Sequence, residues 1–268
     1  MALTRAISQR LDLQHLIWTK LIGGLYPSDL SIMIEQRLNL NKGAAILDVG
    51  CGTGIWALGM CKRFPQASVI GLDITNWNRG NMALPRNYSF TQCDLSKDLP
   101  SEFSGRFDII QCRAVLQHMA EPKKLVENMA QCLKPGGILL LADGELSQGS
   151  FHRSGERIQP FIYDASITAE QNIKNGDQNP ELSWLAGDIW MDVSLSENGT
   201  YRGKDQDVKE LISVNYVKAF DAVRSVLVRQ GIPDSFVKDV WEPRILHELK
   251  TREFTSLWHY ISTVRIAD

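Results

Sequence analysis

The sequence has almost no surplus of charge. Its 29 Lys and Arg stand against 31 Asp and Glu, a net charge of -2. No basic field therefore offers itself to nucleic acid or to anionic lipid. No apolar run is long enough to span a bilayer, and Met1-Ala2-Leu3-Thr4-Arg5 lacks the apolar core of a signal peptide. The expectation is a cytoplasmic chain that meets no membrane. Cysteine is sparse: Cys51, Cys61, Cys93, Cys112 and Cys132 are odd in number, lie in apolar contexts and show no C-x-x-C spacing. That speaks for reduced, buried thiols rather than disulfides or a zinc site. Without secretion the sequons Asn87-Tyr88-Ser89 and Asn198-Gly199-Thr200 carry no meaning. Internal repeats and low-complexity tracts are absent.

What is present is 268 residues, 44% of them hydrophobic, enough for one domain with a sizeable core. The chain is organised around Ala45-Ile46-Leu47-Asp48-Val49-Gly50-Cys51-Gly52-Thr53-Gly54-Ile55-Trp56-Ala57. An unbroken apolar run suits a strand buried on both faces of a parallel sheet. Alternate glycines follow, then a helical pattern of Ile55, Leu58, Cys61 and Phe64, stopped by Pro65. Strand, glycine turn and helix together form a nucleotide-receiving βαβ unit, in which the backbone passes close under a ligand. The glycines read G-x-G-x-G rather than G-x-G-x-x-G, and Asp48 sits two residues before the first. A carboxylate there does nothing for a pyrophosphate but suits the ammonium end of an amino acid.

Around this unit the pattern alternates as in a doubly wound sheet. Residues 5 to 22 read as an amphipathic helix ended by Gly23-Gly24, and a second helix, capped by Ser28 or Asp29, runs to about Leu38. Strands are expected over Ala45–Val49, Ser68–Asp73, Tyr88–Cys93, Phe107–Cys112 and Ile138–Ala142. Helices are expected over Ile55–Phe64 and from Glu121 to Leu133, with Lys134-Pro135-Gly136-Gly137 as a tight turn. From Gly144 to about Asp207 polar residues mix with scattered aromatics, which reads as a partly helical lid. A last helix from about Val208 to Gln230 precedes strands over Ser235–Trp241 and Thr255–Ile266. The expected fold is thus α/β: a doubly wound, mostly parallel seven-stranded sheet with N-terminal helices and a lid inserted after strand 5. The division is one domain: a helical cap (1–42), a cofactor core (43–143), the lid (144–207) and the closing helix and strands (208–268).

Motif I resembles that of the class I S-adenosyl-L-methionine (SAM) methyltransferases. The segments Gln9-Arg10-Leu11-Asp12-Leu13-Gln14-His15, Gly23-Gly24-Leu25-Tyr26, Phe64-to-Asp73, Phe107-Asp108-Ile109-Ile110 and Leu133-to-Gly137 narrow the likeness. They resemble the fungal methyltransferases of secondary metabolism, including relatives of its global regulators. The resemblance covers residues 9 to 143. It implies SAM as cofactor, held by Asp48, Gly50, Cys51 and Gly52 in motif I. Asp73, with Ile74 behind it, would take the ribose hydroxyls about twenty residues after the turn. Asp94, flanked by Cys93 and Leu95, would take the adenine. Arg113, leaving strand 4, either meets the cofactor carboxylate or is a plain surface arginine. Tyr26 and Gln14-His15 are lid candidates. The chain departs from that group after Asp73-Ile74, where Thr75-Asn76-Trp77-Asn78-Arg79 replaces a proline-rich stretch, and the C-terminal half matches no motif.

Methyl transfer requires a nucleophile held in line with the methyl group and a base to take its proton. His118, in Leu116-Gln117-His118, resembles the acceptor-facing histidine of small-molecule O-methyltransferases; its other reading is a capping or packing residue. His152 in the lid is the second candidate. Asp143 and Glu145 read as loop acids, and no metal is expected. The Asn-Pro-Pro-Tyr signature of base-amine methylating enzymes is missing, which agrees with a small-molecule acceptor and no nucleic acid. The expected function is methylation, at oxygen, of a secondary metabolite by a monomer or homodimer. The rivals are a SAM-holding cyclase or dehydratase and a regulatory methyltransferase-like protein.

Overall fold

The computed structural model describes residues 2–77, 83–147, 182–184, 189–194, 211–212, 214–219, 224, 228, 231–241, 243 and 255–265. Helix α1 (Ala2–Ile22) and a 3-10 turn at Ser28–Leu30 lead into α2 (Ser31–Leu40). The expected side-chain cap of α2 is not made; Leu30 N–H bonds Pro27 O at 3.1 Å instead, which closes the turn through backbone alone. Strand β1 (Ala45–Val49), α3 (Ile55–Arg63), β2 (Ser68–Asp73), β3 (Tyr88–Gln92) and β4 (Phe107–Arg113) follow. Helix α4 (Pro122–Cys132) and β5 (Leu133–Ser147) complete the parallel part. Strands β6 (Leu182–Trp184), β7 (Ile189–Ser194) and β8 (Thr255–Arg265) form its far edge.

The strand order is β3-β2-β1-β4-β5-β8-β6, with β7 also pairing β8. Pairs among β1 to β5 are parallel, and β8 runs antiparallel to β5. Period-two alternation sends Ile46, Val69, Ile109 and Leu140 to one face, where α1, α2 and α3 supply Ile17, Trp18, Ile34, Trp56 and Met60. Leu47, Ile70, Leu72, Ile110 and Leu139 go to the other, against Leu125, Val126 and Met129 of α4. The order reverses between β1 and β4, so a ligand crevice opens at the carboxyl ends of those two strands.

Asp108 locks these elements together. Fully buried, it accepts Arg37 Nε at 3.0 Å, Asn41 Nδ2 at 2.8 Å, Ala45 N at 3.0 Å and Lys134 Nζ at 2.6 Å. One carboxylate thus ties the end of α2, the start of β1 and the start of β5 to β4. Asn87 does a smaller version of this work: its amide donates to Cys61 O, Phe64 O and Ala67 O, satisfying carbonyls at the end of α3.

The second half of the chain differs from the expectation in three ways. Ser235–Trp241 is helical, with Asp234–Phe236 running into a π turn at Val237–Trp241. The β-branched residues there suggest a strand, but only Val237 is buried while Asp234, Ser235, Phe236, Lys238 and Asp239 are all exposed, which is not period-two alternation, and the segment starts at Pro233. The antiparallel partners of β8 come instead from 182–184 and 189–194, inside the expected lid. The sheet therefore has eight strands among the described residues rather than seven, and the described parts of 144–207 are strand, not helix. Third, Lys134-Pro135-Gly136-Gly137 is no free turn. It is a bulge within β5, where Phe107 pairs Leu133 and Ile109 already pairs Ile138. A Cβ on Gly137 would stand 2.9 Å from Lys134 O and 3.0 Å from Phe107 O.

Candidate functional site

Motif I folds as a strand, a turn with three left-handed glycines and a helix. Gly50, Gly52 and Gly54 have φ of +69°, +54° and +71°. At Gly50 a Cβ would lie 2.2 Å from Val115 Cγ2, and at Gly54 2.8 Å from the Tyr88 hydroxyl. The turn is pinned by Cys51 N to Leu72 O and Gly54 N to Cys51 O, both 2.8 Å. Cys51 lies beside Gly71, and burial pushes its thiol up, so it stays protonated and inert.

Asp48 is the penultimate residue of β1, just beneath the turn. It is 3% exposed, and its Oδ2 has no hydrogen-bond partner. Burial raises its carboxyl to about 7, against the pull of the Arg113 cation and the Ala57 N–H. In register beside it across β1 and β4 is Gln111, and Arg113 lies two residues further on the same face. The buried Nη1 of Arg113 and Oε1 of Gln111 also lack partners. Arg113 is therefore not a plain surface residue. Buried groups left this way are costly unless a ligand completes them. An orphaned carboxylate oxygen beside an orphaned guanidinium nitrogen fits the two ends of an amino-acid zwitterion, which is the methionine part of SAM.

Further acids stand at the carboxyl ends of the neighbouring strands. Asp73, at the end of β2, accepts Gly52 N–H on Oδ2 and Thr75 N–H on Oδ1, both at 2.8 Å. Each oxygen keeps a lone pair for a ribose hydroxyl. Ile74 beside it is 62% exposed, an apolar shelf for a ring. Cys93 N–H bonds Asp73 O at 3.0 Å and so holds the β3 end against the β2 end. Asp94 lies half-buried in the next turn, its Oδ1 fixed by Ser96 N at 3.1 Å and Ser96 Oγ at 2.7 Å. Those bonds, and then Lys97, hold its carboxyl below the usual range. Cys93 and Leu95 turn inward onto the core face shared with α4.

Helix α1 closes over the turn. Leu11 Cδ1 stands 3.3 Å from where a Gly52 Cβ would be, Asp12 accepts the Thr53 hydroxyl, and His15 Nδ1 lies 2.8 Å from Arg113 Nη2. Of these the sequence singles out only His15; the Asp12 and Thr53 pairing has no local signature. Tyr260 was also missed. It is 2% exposed with an unpartnered hydroxyl, and it flanks Ala142 of β5, whose other neighbour is Arg113. The small Ala142 lets the two long side chains approach one another.

Tyr26 is not brought to this socket. It is buried in the helical core, and its hydroxyl meets Glu35 and Arg63. Arg63 ends α3, eight residues and roughly 12 Å from the glycine turn. His118 ends a 3-10 turn, Leu116–His118, that follows β4. The buried Asp143 within β5 accepts Gln117 N–H at 3.3 Å and holds that turn. Partial desolvation, then the Arg10 cation, keep the His118 imidazole below its usual value and so neutral at pH 7. Ala114, at the hinge between β4 and this turn, has φ +55°, the single positive-φ non-glycine among the described residues. His152 lies outside the described residues. Among the described residues no three His, Cys, Asp or Glu side chains converge on a metal position, and no helix is long and apolar enough to cross a membrane.

Residues 30–174 match the protein family described as "Methyltransferase domain". The chain is 30% identical over 138 residues to the secondary metabolism regulator laeA of Coprinopsis cinerea, 52% of this chain and 32% of that protein. It is 36% identical over 114 residues to trans-aconitate 2-methyltransferase of Deinococcus radiodurans, 41% of this chain and 40% of that protein. Methyltransferase str3 of Strobilurus tenacellus is 32% identical over 143 residues, 52% of this chain and 46% of that protein. This chain therefore spans less than half the length of these curated relatives. Among solved structures the cyclase SpnF shares the fold, with a TM-score of 0.52 at 17% identity, over 98% of this chain and 96% of that one. Fold, motif I and the span of the match agree: the chain belongs to this family of methyltransferase domains, whose cofactor is S-adenosyl-L-methionine.

Proposed function

We propose that this chain transfers a methyl group to an oxygen of a small-molecule acceptor, with His118 as the base. The observation that supports it best is the pair of buried, unpartnered atoms, Asp48 Oδ2 and Arg113 Nη1, at the switch point of the sheet. Bound there, SAM supplies an electrophilic methyl group on a sulfonium. Asp48 takes the ammonium and Arg113 the carboxylate, Asp73 the ribose, and Asp94 the adenine amino group, with Ile74 against the ring. The Leu116–His118 turn places an imidazole after β4, and its lowered basicity keeps a lone pair free for the proton of a phenol, enol or acid. The cofactor core is 43–143, capped by 1–42, and the acceptor side comes from residues after β5.

Labelled SAM offered with a panel of phenolic, enolic and carboxylic metabolites tests this reading. Label is expected to reach at least one acceptor. His118→Asn should lower kcat by about 100-fold or more, with the dissociation constant for S-adenosylhomocysteine unchanged. His152→Asn, measured beside it, separates the two histidines. Tight cofactor binding with no labelled acceptor would overturn the transfer reading and favour a regulatory role, the word that the laeA relative's name carries for that protein.

A further inference from the structure

Four residues of α1, Leu11, Asp12, His15 and Thr19, are spaced so that they share one helix face. The first two meet the glycine turn at Gly52 and Thr53. The last two form a chain of hydrogen bonds whose direction follows from donor counting. A guanidinium only donates, so at 2.8 Å from Arg113 Nη2 the His15 Nδ1 must accept. The imidazole proton therefore sits on Nε2, 3.3 Å from Thr19 Oγ1. The Thr19 hydroxyl spends its own proton on His15 O at 2.9 Å, so its oxygen is left to accept. The chain runs one way, from Arg113 to His15 to Thr19 to a helix carbonyl. It engages Nη2 and leaves the buried Nη1 alone without a partner.

The geometry points to His15 as the positioning residue that aims Arg113 at the cofactor's carboxylate, an inference that rests on the reading of Arg113 given above. Neutral His15 fixes one arm of the guanidinium and fixes it from α1. The arm that faces the cofactor is then oriented only while α1 is docked on the turn. Without His15, Arg113 keeps its charge but loses its direction.

The test compares S-adenosylhomocysteine with 5′-methylthioadenosine, which keeps the nucleoside and the sulfur but lacks the amino acid. Binding of both to the full chain is measured by calorimetry for the unaltered protein and for His15→Ala, His15→Asn and Arg113→Gln. Losing a hydrogen bond to a charged group should weaken S-adenosylhomocysteine about tenfold or more in His15→Ala, with 5′-methylthioadenosine unchanged. His15→Asn, whose amide oxygen can stand where Nδ1 accepts, should recover most of the loss. Equal weakening of both ligands would show a merely structural role and overturn the inference, as would unchanged binding of both. If Arg113→Gln alone selectively loses S-adenosylhomocysteine, the inference fails and the carboxylate reading stands. If Arg113→Gln binds it normally, the carboxylate reading itself fails. Should His15→Ala not fold, His15→Phe keeps the ring volume without the acceptor, and the same selective loss is expected of it.

Discussion

Gly50 carries two constraints at once, a φ of +69° and a Val115 methyl 2.2 Å from where its Cβ would be. Gly50→Ala should cost about 2–4 kcal/mol in urea unfolding, part from the left-handed backbone and part from overpacking. Val115→Ala in the same chain should recover the packing part; a Gly50→Ala protein as stable as the unaltered one would contradict this account. At Asp48 the expectation concerns protons. Its carboxyl sits at about 7 because burial outweighs Arg113, so at pH 6 the free protein holds a proton there that an unfolded aspartate would have lost. Folded stability tied to this group therefore falls as pH rises from the ordinary aspartate range toward 7. An incoming ammonium ionises it, so at pH 6 binding of S-adenosylhomocysteine should release about one proton, and the release should shrink as the pH rises past 7. Calorimetry in buffers of different ionisation heat reads that number, and Asp48→Asn should abolish it. Asp48 and Asp73 were legible because motif spacing puts them at strand ends. Tyr260 was not, since nothing local says that β8 brings it two strands away from Arg113.

Among the elements, the joint around Asp108 carries the most interactions. Four donors from α2, its following turn, β1 and β5 end on one buried carboxylate. Removing it strands Arg37 and Lys134 against a hole. Asp108→Ala should cost about 3–5 kcal/mol in denaturant unfolding, and a loss under 1 kcal/mol would show the joint to be ornamental. The strands and helices of the first half were legible because apolar runs, glycine turns and proline stops agree with one another there. Sequence reasoning fails where two signals conflict. In Ser235–Trp241 β-branched residues argue for a strand, but the segment winds into helix behind Pro233. At Pro135-Gly136-Gly137 turn residues form a bulge, because β4 lies alongside to pair both before and after it. The second outcome is decided by a strand distant in sequence.

On the scale of the whole molecule, the reversal of strand order between β1 and β4 opens the crevice, and α1 returns from the N-terminus to cover it. That crevice was readable from motif I alone. The closing edge was not, because β6 and β7 arise from residues whose composition reads as a partly helical lid, and they become strands only by pairing with β8. The curated relatives match about half of this chain or less, so the acceptor's identity is not written in the pattern this chain shares with them. The central claim is that a buried acid–arginine pair at this switch point receives the amino-acid end of SAM rather than a phosphate chain. Titration of the full chain with S-adenosylhomocysteine and, separately, with NAD tests it most directly. Saturating heat with the first at one per chain and none with the second is the predicted result; heat with NAD and none with S-adenosylhomocysteine would contradict it.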